Sequence, residues 1–267
     1  MIRLIFSDMD GTLLDENGNL PEGFGAVYRR LRERGIRFAP ASGRQYASLL
    51  QTFAPWQDEM IFVAENGTMV MEHGREIFSS TVDRALALDV LRTGEQLSAA
   101  RSIFCGKKYG YLHRDDDAPE FRAELAKYFS QALVVDEFAA VDDAPIKMAF
   151  FDITGNAGET IFPAMQQYAD RLQVTLSSNE WVDLYSQGVN KGAAAAQIQE
   201  RLGIAPEECA AFGDYGNDLE LMDAVAYSFA MENALPEVKA RARYLAPSNR
   251  DSGVMAVCER ILAGEFD

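Results

Sequence analysis

The chain has little thiol or imidazole chemistry to offer: three cysteines, Cys105, Cys209 and Cys258, and two histidines, His73 and His113, among 267 residues. The cysteines are scattered, odd in number and without CxxC spacing, so neither a disulfide framework nor a thiolate–imidazole zinc site is expected. Long apolar runs are missing too. None approaches the roughly 20 residues of a membrane helix, and the opening Met-Ile-Arg-Leu-Ile-Phe-Ser-Asp meets an acid too soon for a signal sequence. No membrane partner is expected, and a reducing cytoplasm is the expected location. Positive charge is also scarce: 25 Lys and Arg stand against 41 Asp and Glu, a formal net charge of −16. Such a surface repels phosphate backbones, which excludes nucleic acid as a general partner. An anionic substrate would need local compensation from a cation or from well-placed Lys and Arg.

What is present suits an ordinary globular protein, with 48% hydrophobic and 25% charged residues and enough length to bury one or two cores. The apolar run Ile2–Phe6 predicts a buried parallel strand ending at Ser7-Asp8. Apolar Phe24, Val27, Tyr28 and Leu31, spaced by three and four, predict a helix over 21–34 that Gly35 stops. Further strands are expected at 36–41, 60–64 and 68–71, with a helix over about 44–52. This alternation predicts an α/β fold with a doubly wound, Rossmann-like parallel-sheet core, whose ligands sit beyond the strands' C-terminal ends. From about 83 the rhythm changes to two rounds of strand and helix, the second with a helix expected over 159–172. That pattern suggests an inserted α/β cap with a mostly antiparallel sheet. The doubly wound pattern resumes near Gly188. The expected division is a catalytic core from 1–82 and 186–267, with a cap over 83–185.

Four short segments carry the chemistry. In Asp8-Met9-Asp10-Gly11-Thr12 an extended backbone would point Asp8 and Asp10 to one face. Gly11 permits a sharp exit, and the Thr12 hydroxyl can hold an anion. Two carboxylates this close repel unless a cation or a shared proton intervenes, although the segment alone is also compatible with a solvated turn. Gly213-Asp214-Tyr215-Gly216-Asn217-Asp218 follows an apolar strand, so Asp214 and Asp218 fall at its tip and in the next helical turn. Carboxylates without His or Cys suit a hard cation such as Mg²⁺, and helix capping is the competing use. Ser42-Gly43-Arg44 opens a helix where a hydroxyl and free amides can receive phosphate. Lys191 also opens a helix, an unfavourable end for a cation unless an anion lies nearby.

With these segments in this order, the chain resembles the haloacid dehalogenase-like superfamily and its Cof-like sugar phosphatases, over essentially its whole length. The later Asn249, Gly253 and Val254 also fit the family pattern. The resemblance implies a Mg²⁺-dependent phosphatase acting on small phosphorylated metabolites such as sugar phosphates. It makes Asp8 the nucleophile that forms an aspartyl-phosphate, Asp10 the general acid and base, and Lys191 the neutralising cation. It assigns Thr12, Ser42, Gly43, Arg44 and Asn217 to the phosphoryl group. It places the metal at Asp8, the Asp10 carbonyl and Asp214, with Asp218 bound through water or behind them. In the cap, His113, Arg114, Lys147, Trp181 and Tyr185 are candidate substrate contacts, the last two more readily explained as packing. The alternatives are a phosphomutase with the same chemistry, a phosphorylation-controlled signalling module and a sugar-phosphate-binding regulator. Composition says nothing of oligomeric state.

Overall fold

A computed structural model describes residues 1–266. From the N-terminus, β1 (Leu4–Ser7), α1 (Phe24–Glu33), β2 (Arg37–Pro40), α2 (Tyr46–Thr52) and β3 (Ile61–Ala64) lead to the hairpin of β4 (Met69–Glu72) and β5 (Arg75–Ser79). Next come α3 (Arg84–Glu95), β6 (Ala100–Gly106), β7 (Gly110–His113), α4 (Pro119–Tyr128), β8 (Ala132–Val135) and β9 (Pro145–Asp152). Two short helices, α5 (Ala157–Thr160) and α6 (Phe162–Met165), precede β10 (Leu172–Leu176) and β11 (Trp181–Ser186). The chain closes through α7 (Lys191–Leu202), β12 (Cys209–Gly213), α8 (Leu219–Asp223), β13 (Tyr227–Met231), α9 (Pro236–Arg241), β14 (Tyr244–Ala246) and α10 (Gly253–Leu262).

One sheet is entirely parallel, in the order β14-β13-β12-β1-β2. Its central strands β1 and β12 are buried along their whole length, which is why they read as unbroken apolar runs rather than alternating ones. A single parallel bridge, Ala41 to Val63, carries the sheet on to β3, which then pairs antiparallel with β4. The α/β fold expected from the sequence, with a parallel-sheet core, is the one observed.

The second large sheet runs β10-β11-β9-β6-β7-β8 and is antiparallel except between β7 and β8. Its strands alternate between two hydrophobic cores. Ile103, Cys105 and Ala149 face the parallel-sheet side, whereas Phe104, Met148 and Phe150 pack with α3 residues Ala87, Val90 and Leu91 on the far side. That period of two lets one sheet serve both cores.

The helix expected over 159–172 is broken into α5, α6 and a tight turn at Gln166–Tyr168. Pro163 lies inside the expected span, and its ring and missing N–H stop one helix and start another. Strands β5 and β14, short and partly polar, were not expected.

Candidate active site

Because the strands of the first sheet are parallel and in register, their C-terminal ends come together. Ser7 of β1 lies opposite Phe212 of β12 and Pro40 of β2. Asp8, Ser42 and Asp214 therefore leave the sheet side by side. After Asp8 the chain makes one wide turn closed by the Leu14 N–H donating to the Met9 carbonyl at 2.8 Å, with Gly11 at φ 75°. A Cβ on Gly11 would stand 2.4 Å from the Asp214 Oδ2, so only glycine lets the two loops approach.

The turn gives Asp8 and Asp10 different partners. Asp8, 6% exposed, receives a hydrogen bond from Lys191 Nζ at 2.6 Å. The same ammonium, with its residue wholly buried, donates to Asp218 Oδ1 at 2.7 Å. Oxygens of Asp8, Asp214 and Asp218 lie within 4.8 Å of one another. Asp10 is held instead by Arg44, which grips both its oxygens, Nε at 2.8 Å and Nη2 at 2.6 Å. The Arg44 guanidinium also sits 5.5 Å from the Tyr128 ring centroid.

Lys191 reaches this cluster because α7 starts there. The Asn190 side chain accepts from the Ala193 N–H at 2.7 Å and fixes the first turn. Of the two uses weighed for Asp218, the capping one is visible: Oδ2 accepts the Asp214 and Tyr215 N–H groups at 3.0 and 3.2 Å, while Oδ1 takes Lys191. Thr12 donates to Asp214 Oδ1 at 2.7 Å, and the Ser42 hydroxyl accepts the Arg44 N–H at 3.1 Å. Asn249, farther along the chain, donates to the Leu14 carbonyl at 2.9 Å, and Asn233 donates to that of Gly11 at 2.7 Å. Both brace the Asp8 loop.

Charge in the cluster is strained. Burial pushes the Asp8 carboxyl well above its ordinary value, with Lys191 pulling the other way and Asp218 and Asp214 adding to the rise. Asp214 is pushed up to about 7 by burial and by Asp218. Burial disfavours the Lys191 charge, but Asp218 and Asp8 more than offset it, so its ammonium is held above the ordinary lysine range. Three acids with one ammonium leave room for another cation, and an all-carboxylate set suits Mg²⁺ or a similar hard ion.

Ser42, Gly43, Asn217, Asp8 and Asp10 line a chamber of about 80 Å³ whose opposite wall comes from the six-stranded sheet and its connections. Of the candidate contacts on that side, Lys147 and Trp181 line it. His113 and Arg114 are instead engaged with Asp136, and Tyr185 with Thr175. The sequence reading missed Tyr128, Phe129, Ser177, Ser178, Asp183 and Tyr215, which also line the chamber. Glu65-Asn66-Gly67 joins the strands expected at 60–64 and 68–71. All three residues have positive φ, 52°, 58° and 92°, strain of the kind that collects at functional sites. Glu65 meets Lys147 at 2.7 Å. Asn66 donates to Asp183 at 2.8 Å and accepts from Asn217 at 3.0 Å. A Cβ on Gly67 would lie 2.4 Å from the Asn190 carbonyl, next to Lys191.

The sequence profile of the haloacid dehalogenase-like hydrolase family matches residues 5–257. Among curated proteins, the chain is 35% identical to the 5-amino-6-(5-phospho-D-ribitylamino)uracil phosphatase of Escherichia coli, covering 99% of this chain and 97% of that one. It is 27% identical to the HMP-PP phosphatase of Klebsiella pneumoniae, over 92% of this chain and 89% of that one. A solved structure from Streptococcus mutans superposes with a TM-score of 0.90 at 30% identity, covering 98% of this chain and 100% of the other.

Proposed function

The chain belongs to the haloacid dehalogenase-like hydrolases, and from that premise we propose that it is a divalent-metal-dependent phosphatase using Asp8 as nucleophile on small phosphorylated metabolites. Its relatives are named phosphatases of a ribitylaminouracil phosphate and of HMP-PP, and the first of these adds a phosphorylated heterocycle derivative to sugar phosphates as a candidate substrate. The observation that carries the mechanism is Lys191, buried and bonded to both Asp8 and Asp218 at 2.6 and 2.7 Å, with Asp214 in the same cluster.

In this reading an Asp8 oxygen attacks phosphorus and the phosphorus–oxygen ester bond breaks, leaving an aspartyl-phosphate. Asp10 gives a proton to the departing alcohol and later takes one from the water that releases phosphate. Lys191 offsets negative charge on Asp8 and the transferring group throughout. Ser42 and Asn217 face the chamber from the phosphoryl side, while Thr12 acts by holding Asp214. Asp8, Asp214 and Asp218 are the residues that would hold Mg²⁺, which when bound supplies charge neutralisation for two approaching anions. Residues 83–185 act as a cap that meets the leaving group, and 1–82 with 186–267 form the catalytic core.

Replacing Asp8 by Asn tests this. Phosphate release from p-nitrophenyl phosphate should fall by at least about 10³-fold, roughly 4 kcal/mol of transition-state stabilisation, and excess chelator should silence the wild type. Turnover within tenfold of wild type in Asp8→Asn would remove Asp8 as nucleophile.

A further inference from the structure

The chamber wall that a leaving group would meet is built from two kinds of surface. Tyr128 and Trp181, rings edge to face with centroids 5.3 Å apart, form an apolar side. Ser177, Ser178, Lys147 and Asp183 form a polar one. Lys147 is the sole cation of this wall among the described residues, and it is already engaged. Its ammonium donates to the Gly43 carbonyl at 3.0 Å and stands 2.7 Å from Glu65 and 3.4 Å from Asp183, with all three side chains no more than 5% exposed. One cation therefore faces two carboxylates. Arg44, at the chamber's edge, is paired through Nε and Nη2 with both oxygens of Asp10. A leaving group thus finds no unpaired positive charge on this side. It does find hydrogen-bonding capacity: the buried Trp181 Nε1 has no partner among the described residues, and the Ser178 oxygen, which donates to Glu180 at 3.0 Å and accepts its N–H at 3.1 Å, keeps one lone pair.

Building on the phosphatase reading, we propose that Lys147, Glu65 and Asp183 make the chamber selective by charge. It admits phosphomonoesters whose leaving group is uncharged or cationic, with an apolar or planar face beside carbonyl or hydroxyl groups. It rejects leaving groups that keep a second anion, such as those of diphosphates, bisphosphates and phosphorylated acids. An anion about 6 Å from a wall with one excess negative charge, at an effective dielectric near 20, is disfavoured on the order of 10- to 100-fold. A buried ion triad is also a poor device for stability alone, since its desolvation offsets most of its attraction.

The test is kcat/KM for the full chain with Mg²⁺ on matched pairs: glucose 6-phosphate against 6-phosphogluconate, and fructose 6-phosphate against fructose 1,6-bisphosphate. p-Nitrophenyl phosphate serves as an uncharged aromatic reference. The uncharged member of each pair should lead by about 30-fold. Ser178→Lys, which adds a cation on the connection between β10 and β11, should shrink that ratio about tenfold, read as a change in KM for the anionic member. Equal or better turnover of the anionic members by the wild type, with p-nitrophenyl phosphate hydrolysed, overturns the charge selection and leaves the phosphatase reading intact. No phosphate release from any of the five overturns both. Should Ser178→Lys not fold, the wild-type ratios decide alone.

Discussion

Replacing Lys191 by methionine keeps the length of the side chain and deletes its charge. The wild-type ammonium is wholly buried and bonded to Asp8 at 2.6 Å and Asp218 at 2.7 Å, and these are the ion pairs that both carboxylates make. Removing one partner of a buried pair costs roughly 3–5 kcal/mol, because the other charge stays desolvated. Here two charges are orphaned, with Asp214 beside them, so the upper end applies. At about 2 °C per kcal/mol for a chain of this size, the metal-free variant should melt about 10 °C lower. Added Mg²⁺ should recover more of that loss than it adds to the wild type. Stabilisation at a hundredfold excess over Kd is about 2.7 kcal/mol for a site of unchanged affinity, and the variant's carboxylates bind the ion without competition from the ammonium. Catalysis should not recover, and phosphate release at saturating metal should stay about 10²- to 10³-fold down. The assay is urea unfolding in chelator and in Mg²⁺, followed by phosphate release on the same preparations. A metal-free Lys191→Met within about 1 kcal/mol of wild type would show that the ammonium does not hold the acids together.

Asp214 gives a pH dependence of definite sign. Its folded pKa, about 7, lies above that of an unfolded aspartate. The metal-free folded state therefore binds the extra proton, and this residue's contribution is complete below about pH 4 and lost as pH rises through 7. The stability difference between wild type and Asp214→Asn in chelator should drop by about 2–4 kcal/mol over that window, and a flat difference would refute the assignment. Gly67→Ala forces an L side chain to φ 92° and into the Asn190 carbonyl. It should cost about 1–3 kcal/mol in unfolding free energy and about tenfold or more in kcat by displacing Lys191, and a neutral result in both would deny the turn that role.

The sequence made the parallel core legible because its central strands β1 and β12 are buried along their whole length and lead into Asp8 and Asp214. Ile2–Phe6 and Ala210–Phe212 leave few other readings, and Asp8, Asp214, Asp218 and Lys191 were all found from their places at strand or helix ends. What could not be read was partnership. Extended geometry put Asp8 and Asp10 on one face, and both do line one chamber, but Asp8 pairs with Lys191 and Asp10 with Arg44. Nor does spacing reveal long-range partners: Lys147 meets Glu65, and Asn66 meets Asp183, across more than 80 residues. The triple left-handed run at Glu65–Gly67 left only a faint trace, since Asn-Gly marks an ordinary turn as readily as a strained one. The break at Pro163 was visible in the residues and should have shortened the expected helix.

The loop that carries Asp8 precedes each of its supports in the chain by a long interval. Lys191 lies 183 residues downstream, Thr12 waits 202 for Asp214, Gly11 waits 222 for Asn233, and Leu14 waits 235 for Asn249. On a ribosome the strands before Lys191 can collapse, but the nucleophile's surroundings remain unfinished until Asn249 has emerged. Closing such distant contacts is slow and depends on sequence separation. The nucleophile's surroundings are thereby completed only by contacts that close across most of the described chain.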